Sequence, residues 1–200
     1  MKGSRVALGV GGLAAGAVLA IPIAAIVLLG SVFGGLGTPP PSPLPAPTGP
    51  SATGQPPSSI VALDEAVTTS TPPMEPCSVP AALLLGQQEA ESGWTSTAVS
   101  PAGAEGLSQF EPGTFTAYDA PSPPGGVVPP TPFDPVDAAY AEARMLCSDG
   151  VLTNLAAALT IYNCGSNSPV CQGLAAGYVM SVEGYASAIA GNLNLPGGGL

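Results

Sequence analysis

The pattern of hydrophobic and polar positions divides the chain into an uncharged N-terminal segment, a proline-rich stretch and a region with helical periodicity. Residues 6–33 contain no charged side chain. A helix over this range would be roughly 42 Å long, more than the ~30 Å of a bilayer core. A cleavable signal peptide has a shorter apolar region, so the pattern favours an uncleaved transmembrane anchor. Because Lys2 and Arg5 precede it, the positive-inside rule places residues 1–5 in the cytoplasm and the remainder outside.

Residues 34–76 are expected to form an extracytoplasmic linker. Nine prolines fall between positions 38 and 59, and polyproline geometry at about 3.1 Å per residue extends this part to roughly 70 Å. A simple spacer is favoured over a recognition site for a polyproline-binding partner. The short apolar piece 60–63 either packs on the following domain or stays mobile.

The region 77–190 has the periodicity of a mostly helical domain. In its first helix Leu84, Gln88 and Glu91 fall on one face, and Gly93 disfavours continuation. Further helices are predicted from Pro135, with Asp134 as N-cap, to about position 147, and over 155–163 and 172–190. The glycine-rich end, residues 191–200, is expected to be a flexible tail.

Charge restricts the class of partner. The chain has 3 basic and 13 acidic residues, no histidine and a net charge of −10. Two of the basic residues precede position 6, so a nucleic-acid partner has almost no electrostatic support. A mostly uncharged glycan is a compatible ligand. The lack of histidine, together with cysteine spacings that are not CxxC-like, argues against a metal site. The lack of histidine also removes Ser-His-Asp and Cys-His nucleophiles.

The four cysteines beyond the predicted anchor indicate disulfides, and they allow three pairings. We prefer Cys164 with Cys171, which closes a short loop. The second pair is then Cys77 with Cys147, which ties the start of the first helix to the end of a later one.

Glu91 is the strongest candidate for chemistry. It ends the first helix beside Trp94, for which a core position is favoured over a role in stacking on sugar. An apolar environment raises the pKa of a carboxyl, and a glutamic acid that is protonated near neutral pH can act as general acid on an acetal oxygen.

Several motifs resemble the signature of the soluble-type lytic transglycosylases, relatives of goose-type lysozyme. They are ESGW at 91–94, SPAGAEGLSQ at 100–109 with Pro112 and Thr114, IYNCG at 161–165, and Tyr178-Val179. The resemblance covers about residues 77–190 and implies a mostly α, lysozyme-like fold. Ser108 replaces the family's usual methionine. The loop 118–133 is longer than usual, and either forms a lid or a flank of the substrate groove or is an exposed insertion.

The resemblance also implies an activity and its residues. Glu91 is expected to act as the single catalytic residue that cleaves the bond between N-acetylmuramic acid and N-acetylglucosamine in peptidoglycan. The product has a 1,6-anhydromuramic acid end, and the reaction needs no cofactor. The residues expected to bind substrate or orient the acid are Ser92, Gln109, Tyr162, Asn163 and Tyr178. Gly103 and Gly106 are expected to permit tight packing or close approach to sugar.

Two other functions stay open. The same fold could hydrolyse the glycan as a muramidase if Asp119 or Asp134 supplied a second carboxylate across the groove from Glu91. A module without activity could instead bind the cell wall as a scaffold of a secretion or conjugation apparatus. Both are consistent with a single-pass membrane protein whose domain is extracytoplasmic, or secreted if the anchor is cleaved.

Overall fold

The computed structural model describes residues 54–195. Within that range the chain folds into six helices, with two isolated β-bridges as its only extended pairing. The helices are α1 (Ser58–Thr68), α2 (Ala81–Ser92), α3 (Pro112–Tyr118), α4 (Pro135–Ser148), α5 (Leu155–Cys164) and α6 (Pro169–Leu193). The prediction of a mostly helical domain is confirmed.

The predicted transmembrane helix, residues 6–33, lies outside the described residues. Between residues 54 and 195, no helix combines the length and apolarity needed to cross a bilayer. At the other end, α6 continues to Leu193, so residues 191–193 of the predicted tail are helical. Residues 196–200 are again outside the described range.

Helix α1 lies inside the range predicted as linker. Ile60 and Val67 on its inner face are buried, and α1 packs against α2 and α4. Near its end the Thr68 hydroxyl donates to the Val79 carbonyl (2.8 Å), which fixes α1 beside the start of α2. The folded part therefore begins near Ser58 and not at residue 77.

Helix α2 lies at the centre of the fold. All its residues from Ala81 to Gln88 are buried, and it packs along α6 and against α1. Leu83 and Leu84 enter the main apolar core, whereas Leu85 packs in a second core. Since only the last turn of α2 leaves these cores, that turn is where a functional side chain can reach solvent from a rigid support.

Helix α4 starts as predicted. Asp134 Oδ1 accepts the backbone N–H groups of Val136 (3.0 Å) and Asp137 (3.1 Å), and so caps the helix. Every residue from Asp137 to Leu146 is buried. Helix α4 is thus an interior helix, although it contains several charged residues.

Two disulfides join the helices, and both have the preferred pairing. Cys77 is bonded to Cys147, which ties the segment before α2 to the end of α4. Cys164 is bonded to Cys171, which ties the end of α5 to the first turn of α6.

Candidate active site

Glu91 lies in the last turn of α2, directly before the residues that end the helix. Gly93 follows as C-cap with a left-handed φ of 58° and turns the chain away, which leaves the carboxyl partly buried at the end of the core. The Tyr178 hydroxyl, from the middle of α6, donates to Glu91 Oε1 at 2.6 Å. The structure therefore joins two of the predicted site residues across the α2–α6 interface.

The environment of Glu91 changes its acidity in the predicted direction. Burial raises the pKa of Glu91 to about 7, and the hydrogen bond from Tyr178 opposes that shift. Trp94 packs against the second core, and its Nε1 donates to the Leu85 carbonyl at 3.0 Å. Trp94 is thus a core side chain. The Glu91 carboxyl, with a pKa of about 7, is partly protonated at neutral pH.

Ser92, which is expected to bind substrate or orient the acid, forms hydrogen bonds within the protein. Its hydroxyl donates to the Leu107 carbonyl (2.6 Å) and accepts the N–H of Thr95 (3.0 Å). Because both bonds lie within the protein, Ser92 joins the end of α2 to the following loop instead of presenting a free hydroxyl.

That following loop, residues 99–110, is called the glycine loop here. Gly103 (φ 92°), Gly106 (φ 78°) and Gln109 (φ 48°) all adopt left-handed backbone conformations, so the structure gives both glycines a conformational reason. A Cβ on Gly106 would also lie 1.7 Å from the Pro132 carbonyl oxygen. The Gln109 amide nitrogen donates to the Gly106 (2.8 Å) and Ala98 (3.3 Å) carbonyls, which leaves its amide oxygen as the group able to receive a donor from a ligand.

Tyr162 and Asn163 lie in the last turn of α5. The Tyr162 hydroxyl donates to the Ser108 carbonyl at 2.8 Å, and its ring packs on Phe110 with centroids 5.8 Å apart. Tyr162 therefore supports the glycine loop. Asn163 is exposed, and the side-chain hydrogen bond of Glu91 among the described residues is with Tyr178 instead.

Four buried polar residues beneath Glu91 form a group that the sequence did not predict, which we call the buried acid cluster: Asp64, Gln88, Ser108 and Glu142. The Gln88 amide nitrogen donates to Asp64 Oδ1 (3.2 Å) and to Glu142 Oε2 (3.0 Å). The Ser108 hydroxyl also donates to Glu142 Oε2, at 2.6 Å. All four residues are buried. The sequence contains one signal of this cluster: Glu142 lies in an otherwise apolar run, four residues after Ala138 and three after Ala139.

The candidates for a second carboxylate have other positions in the fold. Asp134 caps α4, and Asp119 follows the last residue of α3. Neither forms a hydrogen bond with the groups around Glu91 in the described part of the chain. Nor does that part contain three or more histidine, cysteine or acidic side chains arranged to hold a metal ion.

Comparison with protein families agrees with this geometry. Residues 75–170 match the family model described as the transglycosylase SLT domain. Over this range the chain is similar to transglycosylase SLT domains. The matched range contains Glu91, the glycine loop and Tyr162, whereas α1 precedes it and Tyr178 follows it. A search of curated proteins finds no match. At the level of the family, the SLT domain supports a glycan-cleaving enzyme of the transglycosylase type with peptidoglycan as substrate.

Proposed function

We propose that this chain is a peptidoglycan lytic transglycosylase in which Glu91 is the single acid and base. The observation that carries the proposal is the position of Glu91 at the end of α2, partly buried, with Tyr178 2.6 Å from Oε1. Burial gives this carboxyl a pKa of about 7, which suits a group that must hold a proton before the reaction and accept one later. The SLT domain match at 75–170 supports the same class of enzyme.

One carboxyl is sufficient for the chemistry. Protonated Glu91 gives its proton to the glycosidic oxygen as the bond from muramyl C1 to that oxygen breaks, and the N-acetylglucosamine hydroxyl leaves. The Glu91 carboxylate then accepts the proton of the muramyl C6 hydroxyl, whose oxygen bonds to C1. The ring closes as a 1,6-anhydro sugar, Glu91 regains its proton, and no water is consumed. Asp119 and Asp134 have no part in this scheme.

The surrounding residues would orient the substrate and the acid. Tyr178 holds Glu91 through its hydroxyl, and the free amide oxygen of Gln109 accepts from a sugar hydroxyl or acetamido N–H. Asn163, in the last turn of α5, presents an exposed amide group. Ser92 and Tyr162 act one step further away, because each bonds a carbonyl of the glycine loop.

The enzyme would act outside the cytoplasmic membrane, held there by residues 6–33. The uncharged composition of that range and the basic residues Lys2 and Arg5 before it support this placement. Two disulfides support an oxidising compartment. Membrane fractionation and protease protection of the full chain test the placement, and recovery of the mature chain in the soluble fraction would contradict an uncleaved anchor.

The test of activity is mass spectrometry of soluble muropeptides released from peptidoglycan by the full-length chain in detergent. We expect products that end in 1,6-anhydromuramic acid, and a rate that falls as the pH rises through about 7, since the acid must be protonated. Glu91→Gln should lower the rate by about 10²- to 10⁴-fold, the usual contribution of a general acid–base group.

Glu89→Gln is the matched control. Glu89 is also a partly buried glutamate of α2 whose pKa is raised by burial, but it points about 200° away from Glu91 around the helix. We expect its loss to leave the rate nearly unchanged. Products with a reducing muramic acid end would show that the enzyme hydrolyses the glycan and is not a lyase. Absence of any product from the wild type would favour a wall-binding module.

A further inference from the structure

The buried acid cluster places two carboxyl groups in the interior without a positive partner. Asp64 and Glu142 have no measurable exposure, and the single amide group of Gln88 bridges them. The only cationic side chain between residues 54 and 195 is Arg144. Its three donor nitrogens bond elsewhere, to the carbonyls of Met74, Tyr118 and Pro121.

The buried acid cluster has more hydrogen-bond acceptors than donors. Asp64 Oδ2, Gln88 Oε1 and Glu142 Oε1 are buried oxygen atoms with no hydrogen-bond partner among the described residues. Leaving buried acceptors unpaired is costly, and isolated buried carboxylates are far more so. Protons on the two acids remove both charges and provide the missing donors. Burial, together with the mutual repulsion of the acids, also raises the pKa of Glu142 well above its ordinary value.

The cluster is connected to the candidate active site by two routes. Gln88 precedes Glu91 by three residues, so the two share a face of α2 with Cβ atoms roughly 5–6 Å apart. Ser108 donates to Glu142 through its hydroxyl and accepts from Tyr162 through its carbonyl. The titratable groups near enough to Glu142 to interact with it electrostatically are Asp64 of α1, Glu91 of α2, Tyr162 of α5 and Tyr178 of α6.

We infer that Glu142, with Asp64 behind it, is a positioning residue: a neutral carboxyl that holds Gln88 and Ser108 in place beneath Glu91 without placing a fixed charge beside it. This role rests on the proposed function of Glu91. A negative charge at Glu142 would hold the proton on Glu91 and oppose its transfer to the glycosidic oxygen. The cluster also gives Ser108 a reason to replace the family's methionine, because a thioether cannot donate to Glu142. It gives α1, which lies outside the matched domain, a contact that reaches the site.

The protonation state can be tested without any substrate. Infrared spectroscopy of the full chain at a pH of about 8.5, above the pKa of about 7 of Glu91 and Glu75, should show the carbonyl band of protonated carboxylic acid. That band should weaken in Glu142→Gln and weaken further in the double variant with Asp64→Asn. Glu183→Gln, on α6 and outside the cluster, should leave it unchanged. No band, or a band insensitive to Glu142→Gln, would overturn the neutral carboxyl even if the enzyme is active.

The positioning role is tested by kinetics on the folded variants. Glu142→Gln keeps a neutral group with an acceptor oxygen, so kcat should stay within about threefold and the loss of activity at alkaline pH should occur at the same pH as in the wild type. Glu142→Ala removes the acceptor for Gln88 and Ser108, and kcat should fall about tenfold with KM unchanged. If Glu142→Gln loses its activity at a pH about one unit lower than the wild type does, Glu142 is charged in the wild type, which contradicts the proposal.

Ser108→Ala serves if Glu142→Ala fails to fold, since it removes one hydroxyl only. A lowered kcat with an unchanged KM in the folded variant supports positioning, and an unchanged kcat in either folded variant overturns it. A wild type without glycan-cleaving activity would instead contradict the proposed function, and the infrared result would still decide the state of Glu142.

Discussion

Two irregular loops, one between α2 and α3 and one between α3 and α4, are held in different ways. The glycine loop, residues 99–110, is bonded largely to itself. Glu105 and Phe110 exchange two backbone hydrogen bonds (2.8 and 2.9 Å), and Gly106 N–H donates to the Ala98 carbonyl at 2.8 Å. Its left-handed residues give it a tight shape that its own backbone maintains.

The second loop, residues 119–133, contains six prolines and is called the proline loop here. Prolines lack an N–H, so the loop can form few backbone bonds of its own. Two side chains of α4 hold it instead. Asp137 Oδ2 accepts the N–H groups of Val127 (3.3 Å) and Thr131 (3.1 Å), and Arg144 donates to the Pro121 carbonyl at 2.7 Å.

This difference indicates where each loop is vulnerable. The glycine loop should respond to changes in its own backbone conformation, whereas the proline loop should respond to changes in buried side chains far from it in sequence. The loops meet where Gly106 faces Pro132. At Pro132 the proline loop therefore packs on the loop that carries Gln109, although most of its residues from 121 to 130 are exposed.

The largest effect is expected from Gly106→Ala. The new methyl group would overlap the Pro132 carbonyl at 1.7 Å, and alanine would be strained at a φ of 78°. Overpacking and backbone strain together should lower the free energy of unfolding by on the order of 4 kcal/mol. Chemical denaturation measures this change.

Gly103→Ala is the control for Gly106→Ala. Gly103 has a similar left-handed φ of 92°, but nothing lies within 4 Å of an added Cβ. It should cost only about 1 kcal/mol from backbone strain. Equal costs at the two positions would show that the packing of the proline loop against Gly106 contributes nothing.

A smaller effect, about 2–3 kcal/mol, is expected from Arg144→Met. Methionine can replace the apolar stem, but the carbonyls of Met74, Tyr118 and Pro121 lose their charged donors. The proline loop should then be cleaved faster in limited proteolysis, while the glycine loop stays protected. Arg144→Lys keeps the charge with a different donor geometry, so its free energy of unfolding should lie between those of the wild type and Arg144→Met. Unchanged proteolysis in Arg144→Met would show that the loop is held by other contacts.

The sequence predicted the helices that carry clear local signals. Asp134 and Pro135 marked the start of α4, and apolar spacing marked α2 and α6. Helix α1 was missed because its inner face consists of Ile60, Asp64 and Val67. Those positions have helical spacing, but a buried acid in the middle interrupts the apolar stripe, and the prolines before it resemble a linker.

The candidate site was predicted as a set of residues, not as a set of contacts. Motif order identified Glu91 and the glycine loop, and Tyr178 reaches Glu91 as expected. Sequence could not show that Ser92 and the Gln109 amide nitrogen are used inside the protein. Nor could it pair Glu142 with Gln88, because a contact between two helices leaves no local pattern in either one.

The smallest effect is expected from Asp137→Asn, and it depends on pH. Burial, more than the charges of Asp134 and Asp119, raises the pKa of Asp137 above its ordinary value of 3.8, against the hydrogen bonds from the Thr131 and Val127 N–H groups. The folded state therefore disfavours the carboxylate relative to the unfolded chain. Asparagine keeps an acceptor oxygen and does not titrate, so the loss at neutral pH should stay below about 1 kcal/mol.

The sign of the pH dependence distinguishes this residue from a stabilising ion pair. The free energy of unfolding of the wild type should fall relative to Asp137→Asn as the pH rises from below 3.8 through the raised pKa of Asp137. Denaturation midpoints of both proteins across that range measure the difference. Asp137→Ala loses the acceptor as well and should be less stable than either at every pH. A wild type that gains stability over Asp137→Asn with rising pH would mean that the carboxylate, and not only its acceptor oxygen, holds the proline loop.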